Sequence, residues 1–143
     1  MTGVVLTDER RDGDTADTST PTDVGVLIVD DQAPFRAVAR TVVQLAAGFA
    51  VVGEAASGEE AVEMAASVHP ALVLMDINLP GINGIEATRQ IVAAAPDTVV
   101  IMLSTYRADD LPSDAADCGA ARYVHKEDFG PGILQEIWSD HLG

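Results

Sequence analysis

The chain has 143 residues, room for one ordinary domain, and 48% of them are apolar, which supplies a sizeable core and excludes a chain disordered throughout. Twenty-three acids against eight bases leave a net charge of −15, which repels phosphate backbones and anionic lipid and argues against nucleic-acid or membrane binding by this domain. One cysteine, Cys118, excludes an internal disulfide and a multi-thiolate zinc site, and with no spanning apolar run and no secretory leader pattern the expected compartment is the cytoplasm.

Residues 1–23 carry six acids and two bases, and from Thr7 to Asp23 the only apolar side chain is Ala16. Such a segment buries too little surface to offset its ordering entropy, so it reads as a disordered acidic N-terminal tail ahead of a single domain over 24–143. From Val24 onward, short apolar runs alternate with segments of helical period. The run Val26–Val29 is followed by Phe35, Val38, Val42 and Leu45, whose spacing predicts the inward face of a helix closed by Gly48. Val51–Gly53 precedes Ser57-Gly58-Glu59-Glu60, a capping box opening a helix that ends before Pro70. After Leu72–Met75, Asn83 caps a helix carrying Ile85, Thr88 and Val92 and stopped by Pro96.

Val99–Leu103 leads into Asp109–Cys118, the least helical connection, with four Asp and a Pro112 that a helix accepts only in its first turn. Tyr123–His125 is the fifth run, and Leu134, Ile137, Trp138 and His141 mark one face of a last helix. Apolar residues in succession suit strands buried on both faces, and parallel strands need helical crossovers. Five strand–helix units therefore predict an α/β domain, a doubly wound five-stranded parallel sheet with helices on both faces.

In open α/β sheets ligands bind beyond the carboxyl ends of the strands. There the first run ends in Asp30-Asp31, the third in Asp76, the fourth in Ser104-Thr105 and the fifth in Lys126; Glu54 ends the second, expected at an edge away from the site. Each feature alone has an ordinary explanation, such as a helix cap, a turn or a solvated cation; their common placement on one rim does not. Three close carboxylates repel unless a cation intervenes, and a hard divalent ion with oxygen ligands, most naturally Mg²⁺, resolves that repulsion. One carboxylate is then available as a nucleophile, with an ammonium and a hydroxyl to hold phosphoryl oxygens. The chain has seven Arg and one Lys, and that one Lys sits on the rim, where a compact point charge differs from a guanidinium.

At these residues the chain closely resembles the receiver domain of bacterial two-component response regulators. The likeness runs through Val26–Asp31, Leu72–Gly81 with Asn83-Gly84, Val100–Tyr106 and Cys118–Lys126, covering about residues 24–143. It implies a flavodoxin-like receiver fold and a phosphoacceptor signalling domain, with no catalysis beyond its own phosphorylation and dephosphorylation. Asp76 would accept a phosphoryl group from a histidine kinase; Asp30, Asp31 and Asp76 would hold Mg²⁺ together with the backbone carbonyl of Asn78. Lys126 would pair with a phosphoryl oxygen, Ser104 would be the switch hydroxyl and Tyr123 the switch aromatic. Asn78 and Tyr106 resemble the positions that tune self-dephosphorylation in the family.

The resemblance also implies an unnamed downstream protein partner and allows a homodimer, although Asp109, Asp110, Asp114 and Asp117 would repel across the family's usual two-fold face. Only seventeen residues follow Lys126, so the expectation is a stand-alone receiver; the alternative is the excised receiver of a DNA-binding transcriptional regulator. A Mg²⁺-dependent phosphatase with an aspartyl nucleophile is more remote, since its second acid would fall on Asn78, which cannot serve as a general acid. A flavin module is equally remote, because Asp30-Asp31 would repel a bare phosphate. His125, His69, Trp138 and Cys118 read as structural, with His125 turned to the opposite side of its strand from Lys126.

Overall fold

The computed structural model describes residues 23–106 and 111–142; the expected tail, apart from Asp23, lies outside them, as do Asp109 and Asp110. Strand β1 (Val24–Val29) leads to α1 (Ala33–Leu45), β2 (Phe49–Ala55) to α2 (Gly58–Val68), and β3 (Leu72–Asp76) to α3 (Gly84–Ala94). Strand β4 (Val99–Ser104) is followed by a 3₁₀ turn at Ser113–Asp117, β5 (Arg122–His125), a second 3₁₀ turn at Lys126–Asp128 and α4 (Pro131–Leu142). The strands form one parallel sheet in the order β2-β1-β3-β4-β5. The order reverses between β1 and β3, so the carboxyl ends of those two strands flank the switch point where doubly wound sheets place ligands.

Every residue of β3 and β4 is buried, as consecutive apolar residues between two helical layers require. Leu27, Val73, Met75, Val100 and Met102 pack with Ile85 and Ile91 of α3 on one face. Val26, Ile28, Leu74, Ile101 and Leu103 pack with α1 and with Leu134 and Ile137 of α4 on the other, where Trp138 lies edge-on to Phe49. Among the described residues no helix is long and apolar enough to cross a membrane.

The helix starts follow their local chemistry. Ser57 Oγ accepts from the Glu60 N–H at 3.1 Å, while Glu60 reaches back to the Ala56 N–H at 2.7 Å, one residue earlier than a standard capping box. Asn83 Oδ1 accepts from the Glu86 N–H at 2.9 Å at the head of α3. Left-handed His69 closes α2 before Pro70, as its position predicts.

Two expectations are corrected. Of the α1 residues that the spacing favoured, Val42 is buried and Phe35 packs against the core beside Ala39 and Val43, whereas Val38 and Leu45 are 52% and 69% exposed. Phe35 and Val42 thus face the sheet, while Ala39 and Val43 complete the stripe in place of Val38 and Leu45. The helix ends at Leu45 with Ala46 as its cap, ahead of Gly48. The fourth connection contains no α-helix among its described residues, only the 3₁₀ turn Ser113–Asp117, with Pro112 as its cap rather than within a first turn. Its described residues bring little apolar surface beyond Leu111, Ala115 and Cys118 with which to hold a longer helix on the sheet.

Candidate functional site

The carboxyl ends of β1, β3, β4 and β5 bring together the residues selected from the sequence. Asp30 closes β1 and is 1% exposed; its Oδ1 accepts from the Gln32 N–H at 2.8 Å, and its Oδ2 lies 2.7 Å from Lys126 Nζ. Asp76, the last residue of β3, is 6% exposed, with Oδ1 3.5 Å from the same ammonium. The Asn78 N–H donates to that oxygen at 3.4 Å, so the loop after β3 curls back over its own carboxylate. Asp31 stands at the exposed lip of the cluster.

Lys126 lies on the 3₁₀ turn after β5, its side chain 16% exposed and its Nζ 4.4 Å from the centroid of the Phe35 ring. The ring of α1 thus forms the apolar floor under the ammonium, a contribution the sequence analysis missed because Phe35 read only as core. Burial, and then the charge of Asp30, push the Asp76 carboxyl up to about 6 against the opposing pull of Lys126 and the Asn78 N–H. Asp76 is an acid whose ionised form is held at a disadvantage, the condition under which a nearby cation or an esterified oxygen relieves strain.

Asp30, Asp31 and Asp76 each offer a carboxylate oxygen, all within 4.8 Å of one another. One ammonium leaves two of those negative charges uncompensated, and an all-oxygen donor set with an open, exposed side suits a hard divalent cation that keeps several waters. On this chemistry the residues fit Mg²⁺.

Ser104 ends β4 beside the cluster, 4% exposed, with Oγ accepting from the Tyr106 N–H at 2.8 Å. The Tyr106 hydroxyl donates to Asn78 Oδ1 at 3.3 Å, tying the loop after β4 to the loop after β3. Tyr123 lies one strand away, half-buried, its hydroxyl donating to the Ala115 carbonyl and lying 3.8 Å from Cys118 Sγ. Burial, with Cys118 alongside, pushes its phenol up to about 12. Tyr123 therefore pins the 3₁₀ connection and does not touch the carboxylates. Glu54 lies outside the cluster: Arg40 grips it at 2.7 and 3.0 Å with Arg36 at 3.5 Å, and the guanidinium of Arg40 holds its carboxyl below the usual range.

The loop that carries Asn78 has little freedom. A Cβ on Gly84 would run into the Asp76 carbonyl oxygen, and one on Gly58 into that of Ile82. Gly81 has φ +74° and lies against the Glu59 carboxylate, which accepts from the Ile82 N–H at 3.1 Å. The start of α2 thereby clamps the loop after β3.

The sequence matches the family model described as response regulator receiver domain over residues 26–137. Response regulator UvrY of Escherichia coli (strain K12) is 41% identical over 120 residues, spanning 84% of this chain and 55% of the relative. Response regulator GacA of Pseudomonas viridiflava is 36% identical over 119 residues, 83% of this chain and 54% of the relative. The chain thus spans about half the length of the curated relatives it matches. Among solved structures, the response regulator domain of Thermotoga maritima CheB is 33% identical with TM-score 0.73, covering 82% of this chain and 95% of that one. The signal receiver domain of the putative response regulator NarL from Mycobacterium tuberculosis is 26% identical with TM-score 0.77, covering 86% and 99%.

Proposed function

The chain belongs to the response regulator receiver domain family of two-component signalling, and from that membership we propose that Asp76 is its phosphoacceptor. The observation that carries this reading is the placement of Asp76 at the switch point, buried, raised to about 6, and within 3.5 Å of the chain's only lysine ammonium. A carboxylate oxygen of Asp76 attacks the phosphorus of a histidine kinase's phosphohistidine; the new O–P bond forms as the N–P bond breaks, and the imidazole leaves with the bonding pair.

Asp30, Asp31 and Asp76 would hold Mg²⁺ together with the Asn78 carbonyl, and the ion would offset the charge of the transferring phosphoryl group. Lys126 supplies a further positive charge, and Ser104 a hydroxyl to a phosphoryl oxygen. As Ser104 is drawn toward the phosphoryl group, the loop after β4 moves with it, and Tyr123 reports that shift to the 3₁₀ connection it pins. A downstream protein reads the changed surface. The kinase, that partner and the cytoplasmic location all belong to this proposal.

Intact mass after incubation with acetyl phosphate and Mg²⁺ tests the reading. One phosphoryl adduct, acid-stable and base-labile, is expected on the wild-type chain and none on Asp76→Ala; an adduct retained in that variant would move the acceptor elsewhere.

A further inference from the structure

His125, which the sequence analysis set aside as structural, makes two hydrogen bonds that reach both arms of the site. It ends β5 in register with Ser104, the last residue of β4. The Glu127 N–H donates to its Nδ1 at 3.1 Å, closing the turn that carries Lys126. Because Nδ1 accepts, the neutral ring carries its proton on Nε2, which lies 3.1 Å from the Thr105 carbonyl and donates to it.

That carbonyl belongs to the same peptide unit whose N–H, on Tyr106, donates to Ser104 Oγ at 2.8 Å. The Thr105–Tyr106 peptide is therefore held at both ends, by the switch hydroxyl on one side and by His125 on the other. A cavity of about 260 Å³ opens beside it, lined by Ser104, Tyr106, Tyr123, His125 and Asp128, so packing alone does not fix the loop.

We infer that His125 is a positioning residue: its Nε2–H imidazole latches the Ser104 loop to the Lys126 turn, so that the hydroxyl and the ammonium reach the Asp76 rim as one unit. The inference rests on the phosphoacceptor reading for its consequence, though not for its geometry. A ring bonded on only one side would leave the Thr105–Tyr106 peptide held by Ser104 without its tie to the Lys126 turn, and phosphoryl transfer requires hydroxyl and ammonium in place at once.

Long-range ¹H–¹⁵N spectra of the full chain test the latch without any phosphorylation. The Nε2–H tautomer is expected, together with a Glu127 amide resonance that shifts in His125→Ala. The Nδ1–H tautomer, or an unmoved Glu127 amide, would overturn the latch. Labelling by acetyl phosphate tests what the latch does: His125→Ala is expected to slow it about tenfold, the worth of two ordinary hydrogen bonds, with Mg²⁺ affinity unchanged.

His125→Asn keeps an acceptor near Nδ1, and His125→Gln keeps a donor near Nε2. Each is expected to recover part of the rate, and in the Gln variant the Tyr106 amide should regain its wild-type shift. A wild-type labelling rate in all three variants would refute the positioning role. Absence of label on the wild-type chain would instead overturn the phosphoacceptor reading, while the ring's tautomer still decides the latch.

Discussion

At the scale of single residues, the charge balance around Asp76 has a measurable consequence. Its carboxyl is raised from an ordinary 3.8 to about 6, chiefly by burial. The folded state then binds its proton more tightly than the unfolded state does, so this group costs nothing below about pH 3.8. The cost grows as pH rises through the window and is complete above about 6. In chelator-treated protein, Asp76→Asn is therefore expected to be more stable than wild type by about 1–3 kcal/mol at pH 7 and equal to it at pH 3.5. Urea unfolding at both values checks this; equal stability at pH 7 would mean the carboxylate is not strained.

Lys126→Arg tests the neighbouring charge. The guanidinium cannot take the single-point position between Asp30 and Asp76 above the Phe35 ring, and labelling by acetyl phosphate is expected to fall at least about tenfold. A wild-type rate would count against the geometry. Of this set, the sequence disclosed Asp30, Asp76, Ser104 and Lys126, because strand ends converge by topology. It could not disclose Phe35 beneath the ammonium or the two bonds of His125, which depend on ring orientation and on backbone atoms that every residue shares.

At the scale of elements, the loop after β3 is a stiff part of the site. Gly84 abuts the Asp76 carbonyl oxygen at the head of α3, where Asn83 caps the helix. Gly84→Ala must push α3 away from the end of β3, and is expected to lose about 2 kcal/mol or more of stability and to impair labelling by acetyl phosphate. Thermal melts with labelling rates check it, and a variant that melts and labels as wild type would show that the loop yields.

The five strands and the caps of α2 and α3 were legible because consecutive Val, Leu and Ile and a Ser or Asn at a helix start have local causes. The α1 stripe was legible only in part, since apolar residues at Phe35, Val38, Ala39, Val42, Val43 and Leu45 leave the buried centre undetermined until the sheet's surface selects Ala39 and Val43 over Val38 and Leu45. Among its described residues the fourth connection forms only a 3₁₀ turn, and its composition, with Pro112 and little apolar surface, foreshadowed a weak helix.

At the scale of the molecule, a net charge of −15 means that two kinds of cation effect overlap. Any salt screens the self-repulsion of the fold, so the melting temperature is expected to rise with NaCl. Mg²⁺ does this too, but on the proposed reading it would also bind the native carboxylate cluster, whose three oxygens lie within 4.8 Å when β1 and β3 stand side by side. Binding the folded state alone adds stability that grows with the logarithm of ion concentration, whereas screening tracks ionic strength. At matched ionic strength MgCl₂ should therefore raise the wild-type melting temperature more than NaCl does. In Asp30→Asn with Asp31→Asn the two salts should converge. If Mg²⁺ kept its advantage in that variant, the ion would be acting on the acidic surface at large, and the cluster would lose its claim to be the metal site.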